Sequence, residues 1–209
     1  MKAILKILLG LTPGICLAGI SEGGYFGFEL GAANQIVQFN PAAFNLNTNG
    51  SSLYNPALGF LSRFNLGYNL NKYAGFELGT TYNFATGHNY PSGNGILSTT
   101  ATAIDLSYLL YLPTIIDKWS VFGRVGGAFN WIGSEGICNC NTSSVINPSG
   151  SSFADVLGAG IMYRLTPSVS FRLEWISNAL LFPVEINNSG TSVGKWTNQT
   201  FQAGFNYHF

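Results

Sequence analysis

Eight stretches of this chain, roughly residues 24–34, 56–70, 72–84, 99–112, 119–132, 153–165, 168–178 and 198–209, alternate with period two. Large apolar residues occupy one register and small or polar residues the other. That periodicity belongs to β-strands with two unlike faces, and nothing beyond the first 18 residues has helical periodicity of useful length. The charges narrow the fold further. In the first stretch Phe26, Phe28 and Leu30 share a face, and Glu29 stands on the other. Arg63 likewise opposes Phe60, Phe64 and Leu66, Glu77 opposes Phe76 and Leu78, and Asp105 opposes Ile104 and Leu106. Arg124 opposes Val125 and Phe129, Arg164 opposes Ile161 and Tyr163, and Arg172 with Glu174 opposes Phe171, Leu173 and Trp175. All four arginines thus lie on the minor, polar face with four acids, which makes that face neutral, while every lysine lies in the first 18 residues, a turn or a loop.

Two arrangements would bury one face of such a sheet. A soluble eight-stranded barrel turns its apolar face inward; a membrane barrel turns it to lipid. The apolar face here carries more bulk than the interior of eight strands can hold. The opposite face carries Gly59, Gly67, Gly75, Gly79, Gly126, Gly158, Gly160 and Gly204, which suit a cramped lumen. Charged residues make up only 9% of the chain, against about 25% in soluble domains, so much of the surface is expected not to meet water. The apolar face is therefore read as facing lipid. The polar face then fills the lumen, where an unpaired charge costs several kcal/mol. An ion-pair network is expected around Glu77, Arg124, Arg172 and Glu174, with Arg63, Glu29 and Asp105 nearby and Arg164 more hydrated beside a short turn. Such a network either holds the barrel together or re-pairs as a gate.

The connections support the same fold. Long stretches after residues 34, 84, 132 and 178 alternate strictly with short turns near 69–72, 113–118 and 166–168. The fold expected is all-β, an eight-stranded antiparallel up-and-down transmembrane barrel, each strand meeting the roughly 9–11 residues a crossing needs. In bacterial outer membranes the long loops face outside, and short turns and termini face the periplasm. Tyr68, Trp119, Tyr163 and Tyr207 towards the turns, with Phe84, Trp131 and Phe153 towards the loops, fit two interfacial girdles.

The first 18 residues, MKAILKILLGLTPGICLA, read as a secretory signal with Lys2 and Lys6 ahead of a short apolar run and cleavage after Ala18. Residues 19–209 then form the barrel domain. A lipoprotein acylated at Cys16 is the alternative, opposed by the bulk of Ile15. Cys138 and Cys140 are read as loop thiols or a Cys-x-Cys disulfide. No histidine lies near them, so neither a metal site nor a cofactor is expected. Nine basic residues balance nine acidic ones, which excludes the strong basic field of a nucleic-acid binder.

The stretches KYAGFELG (72–79), FGRVGGAF (122–129), GAGIMYRLTP (158–167) and FRLEW (171–175), with the closing strand to Phe209, resemble the transmembrane domain of OmpA-type outer-membrane proteins. The resemblance implies a lumen ion-pair network that includes Glu77, Arg124, Arg172 and Glu174. Glu29 departs from it, falling where the family often has a basic residue, so the pairing may be rewired. The last strand places Phe205, Tyr207 and Phe209 on one face. Phe209 resembles the terminal aromatic read by the outer-membrane assembly machinery, and the three are expected to form that signal. Many members add a peptidoglycan-binding domain; this chain stops at the barrel and resembles the small stand-alone barrels instead.

These features imply a structural or surface-interaction role, adhesin-like, through four long loops. A host or surface ligand would bind there, and lipid with lipopolysaccharide would surround the wall. A small or gated pore is the alternative, limited because eight strands leave no open channel. A lipid-modifying enzyme would need a nucleophile beside a base. Only His88 and His208 are available, and no His-x-Ser motif accompanies His88, so no enzyme is expected. A small apolar ligand at a mouth formed by 36–39 or 179–184 is a further reading.

Overall fold

The computed structural model describes residues 22–39, 53–89, 95–112, 118–138, 144–146, 149–188 and 191–209. They form ten strands and no helix: β1 (Gly23–Phe39), β2 (Leu53–Asn71), β3 (Ala74–Asn89), β4 (Gly95–Leu112), β5 (Trp119–Cys138), β6 (Ser144–Ile146), β7 (Ser149–Thr166), β8 (Val169–Asn178), β9 (Val184–Asn188) and β10 (Thr191–His208). Eight of these, β1–β5, β7, β8 and β10, close into an antiparallel barrel. Each pairs with its neighbour along the chain, β5 passes to β7, and β10 returns to β1. Closure leaves no strand edge to face lipid, where an unpaired main-chain group costs several kcal/mol. The seam runs in one unbroken register from Tyr25↔His208 to Phe39↔Gly194.

The alternation sets the two faces as expected. Phe60, Phe64, Leu66, Leu78, Leu106, Val125, Phe201 and Phe205 point outward and stay exposed, while Glu29, Arg63, Glu77, Asp105, Arg124, Arg172 and Glu174 are buried in the lumen. Aromatic pairs band the outside. Trp119 stacks on Tyr163 at 4.7 Å near the turns, and Phe129 meets Trp131 at 4.6 Å and Phe153 at 5.0 Å near the loops.

Most strands are longer than alternation indicated, and nearly all the added length is at the loop end. β1 continues to Phe39, β3 to Asn89 and β5 to Cys138, and β4, β7 and β10 begin at Gly95, Ser149 and Thr191. Stretches rich in Asn, Ser and Gly have weak strand propensity, but each here has a paired neighbour that supplies the hydrogen bonds. A strand of 18 residues, such as β4, is roughly 60 Å long at ~3.3 Å per residue. A tilted crossing of ~30 Å of hydrocarbon consumes about two thirds of that.

One part of the wall breaks the regular ladder. β8 stops at Asn178, and β9 resumes the pairing to β10 at Val184↔Trp196. Between them the chain bulges outward, with Leu180, Leu181 and Phe182 exposed. Ala179 turns it in the left-handed region at φ 62°. The Ala179 N–H donates to the Asp155 carbonyl at 2.9 Å, and the Leu181 and Phe182 N–H groups both donate to Asp155 Oδ1 at 2.9 Å. Asp155 shares the outward face of β7 with Phe153, and the charge tally of the lumen therefore does not include it. The expected mouth at 179–184 is instead this bulge; of the expected 36–39, Val37 is buried on the lumen face and Ile36 is buried on the opposite face of β1.

Glycine sets the bore of the lumen. A Cβ on Gly126 would stand 2.7 Å from the Ser107 Cα, and one on Gly204 would stand 2.6 Å from the Glu29 Cα. Neighbouring backbones coil this closely only where no side chain intervenes.

Candidate functional site

The centre of the lumen is an ion-pair network contributed by six strands. Arg63 on β2 grips Asp105 on β4 with both terminal nitrogens, at 2.6 and 2.9 Å, and reaches Glu77 on β3 at 3.1 Å. Arg124 on β5 bonds Glu77, and its Nε donates to Glu174 Oε1 at 2.6 Å. Arg172 on β8 donates to Glu77 Oε2 and to Glu174 Oε2, each at 2.6 Å. Glu77 is the hub, since three arginines and the Tyr25 hydroxyl, at 2.7 Å, all reach it. The planar, multi-donor guanidinium lets each arginine serve two or more carboxylates at once.

Glu29 joins at the margin. The Asn65 amide donates to its Oε1 at 2.7 Å, and Arg172 Nε lies 3.5 Å away. All seven residues expected to share the lumen are thus found together. Arg164 is not with them. It is half-buried near the terminal end of β7, opposite Ser170, which is why neutrality by four against four does not describe this cluster.

Apolar layers enclose the network on both sides. Towards the turns, Tyr25, Leu109, Tyr111, Phe122 and Met162 form a buried cluster, with the Arg172 guanidinium 4.5 Å over the Phe122 ring. Towards the loops, Ala103, Ala128, Val156 and Ile176 form a second. Beyond it lie uncharged polar contacts: Asn178 donates to Asn130 at 2.8 Å, and Thr99 and the Trp196 indole both donate to Gln35 at 2.9 and 3.0 Å. In this low-dielectric setting a charge left without its partner is expensive, so the network and its apolar lids favour one closed arrangement.

The other expected residues lie elsewhere. Phe205, Tyr207 and Phe209 point outward and are exposed, and the Phe209 N–H donates to the Gly24 carbonyl at 3.1 Å across the seam. Cys138 ends β5 opposite Gly95, and Cys140 lies outside the described residues, as do residues 1–21 with Lys2, Lys6, Cys16 and Ala18. His88 sits in β3 opposite Leu97. Reasoning from the sequence missed that Ser170 Oγ and His208 Nε2 stand 2.9 Å apart, with the Tyr25 ring 5.4 Å from His208. Ser170 is buried at the end of the barrel that carries the short turns. The signal for that contact was only the inward parity of both residues on adjacent strands. Among the described residues, no group of three or more His, Cys, Asp or Glu side chains is arranged to hold a metal.

Comparison with known proteins agrees with this architecture. Neisserial surface protein A superposes with a TM-score of 0.53 and 19% identity, over 90% of this chain and all of its own. The outer-membrane protein OprG from Pseudomonas aeruginosa superposes with a TM-score of 0.50 and 13% identity, over 92% of this chain and 99% of its own. At such identities the likeness is one of fold. A search of curated proteins returns no match. The model of the OmpA-like transmembrane domain matches residues 22–209. With its closed eight-stranded wall and ion-paired lumen, the chain belongs to the OmpA-like transmembrane domain family of outer-membrane β-barrels.

Proposed function

We propose that this protein is a closed outer-membrane barrel with a structural and surface-interaction, adhesin-like role exercised through its loop end. The carrying observation is the sealed lumen. The ion-pairing side chains are at most 3% exposed, and apolar clusters cover them on both sides. A barrel that transmits nothing through its middle acts through what it displays. What it displays is the set of four loop-end connections, carried beyond the hydrocarbon by the extended strands. In this reading the termini and short turns lie in the periplasm, a signal segment over 1–18 directs export, and lipopolysaccharide packs around the outer wall. The assembly machinery reads Phe205, Tyr207 and Phe209. Binding of cells displaying the full protein, compared with variants in which each long loop is shortened to a turn, tests the role. Undiminished binding by all four shortened variants would end it.

A gated pore is the second reading, and one observation favours it. Glu77 already lies within reach of three arginines, so alternative pairings need only small side-chain movements. Planar-bilayer conductance separates the two. The closed barrel shows no sustained opening, and frequent long openings would establish the pore.

A further inference from the structure

Formal charge does not balance inside this barrel. Among the described residues the buried cluster holds three guanidinium groups, Arg63, Arg124 and Arg172, and four carboxylates, Glu29, Glu77, Asp105 and Glu174. Arg164 lies past the layer of Phe122 and Met162, at the terminal end of β7, and does not offset the surplus. One negative charge is therefore left over in a region where an uncompensated charge costs several kcal/mol.

The contacts show where that surplus resides. Glu77, Asp105 and Glu174 each accept a guanidinium hydrogen bond of 2.6 Å. Glu29 is fully buried, its nearest guanidinium nitrogen is 3.5 Å away, and its Oε2 has no hydrogen-bond donor. Two further donor-less oxygens belong to asparagines on the adjacent strands. Asn65 on β2 and Asn206 on β10 flank Gly27 of β1 in direct register on its two sides. The missing side chain of Gly27 leaves a slot into which both carboxamide oxygens lean. Both asparagines are at most 1% exposed, neither Oδ1 has a donor, and the Asn206 Nδ2 has no acceptor. The amide of Asn65 is oriented by its 2.7 Å bond to Glu29, which turns its oxygen to the slot.

Unsatisfied oxygen acceptors from three adjacent strands, next to one unit of unbalanced negative charge, have the chemistry of a hard-cation site. We propose that this corner of the lumen binds one small monovalent cation, with Glu29 Oε2 supplying the charge and the Asn65 and Asn206 oxygens completing the ligation. A divalent ion would reverse the imbalance rather than remove it.

The test is thermal unfolding of the refolded full chain in detergent micelles, at fixed pH and ionic strength, in sodium, potassium, lithium or choline chloride. The wild-type midpoint should rise saturably in at least one alkali ion relative to choline. Glu29→Gln makes the cluster three against three. It should unfold at one temperature in all four salts and, in choline, above the wild type. Asn206→Ala keeps every charge and should raise severalfold the cation concentration needed for half the gain; it carries the test if Glu29→Gln does not refold. Identical wild-type midpoints in all four salts would overturn the site. So would a carboxylic-acid carbonyl band in the infrared spectrum that Glu29→Gln removes, because a proton would then supply the missing charge. An unchanged half-gain concentration in Asn206→Ala would refute the carboxamide ligands, as expected if that amide turns over and donates to Asn65.

Discussion

The barrel holds carboxylates in two apolar settings and treats them differently. In the lumen Glu77 and its neighbours are met by side chains, arginines that arrive from several strands. On the outer face of β7, Asp155 is met by main chain: one oxygen accepts from the Leu181 and Phe182 N–H groups where the ladder between β7 and β8 lapses. The first arrangement ties strands together across the bore and fails as a unit. The second is local, for it substitutes a side-chain acceptor for ladder hydrogen bonds that the bulge has given up. A carboxylate facing outward on a membrane barrel looks like an error in the alternation, but it is the partner that allows the wall to bulge there.

The contrast can be broken most forcefully at Arg172. Arg172→Ala removes a cation shared by Glu77 and Glu174 and should cost about 3–5 kcal/mol, read as a lower urea midpoint for loss of the compact, gel-shifted form. An unchanged midpoint would remove the network from the list of things that hold the barrel. Asp155→Ala should cost about 1–3 kcal/mol, the usual worth of hydrogen bonds to a charged acceptor, and should increase proteolytic nicking within 179–183 while the lumen stays closed. Asp155→Asn keeps an acceptor oxygen without the charge. It should lose about half as much or less, since hydrogen bonds to a charged group are roughly twice as strong as neutral ones; a loss equal to that of alanine would mean that charge, not hydrogen bonding, holds the bulge. The smallest effect is expected for Ala179→Gly, a gain below about 1 kcal/mol by calorimetry. Relief at φ 62° is partly cancelled by the freer unfolded chain.

The same contrast explains what could be read in advance. The lumen residues were legible because parity alone decides which way a strand residue points, and the one or two inward charges on most strands stand out against glycine and apolar neighbours. Their convergence followed from the narrow bore. The bulge was not legible. The run ALLFPVEI has no period, and even positions point inward both before and after it, so nothing before the structure tied Asp155 to residues 181 and 182. The loop-end extensions were hidden for another reason. Asn, Ser and Gly write no amphipathic signal, and such stretches become strands only when a neighbour of matching length lies alongside. Arg164 has the right parity but another height, which alternation does not carry and its closeness to the short turn at 166–168 did indicate.

The close backbone approaches at Gly126 and Gly204 have a practical consequence. The internal diameter of this protein is fixed by main chain, not by the size of the side chains that fill it. Trimming Arg124 or Phe122 would leave a sealed void between the apolar layers rather than a passage, at a cost of several kcal/mol. Anyone wishing to turn such a protein into a conduit would have to insert strands and enlarge the circumference, since carving the interior of an eight-stranded cylinder yields only a weaker plug.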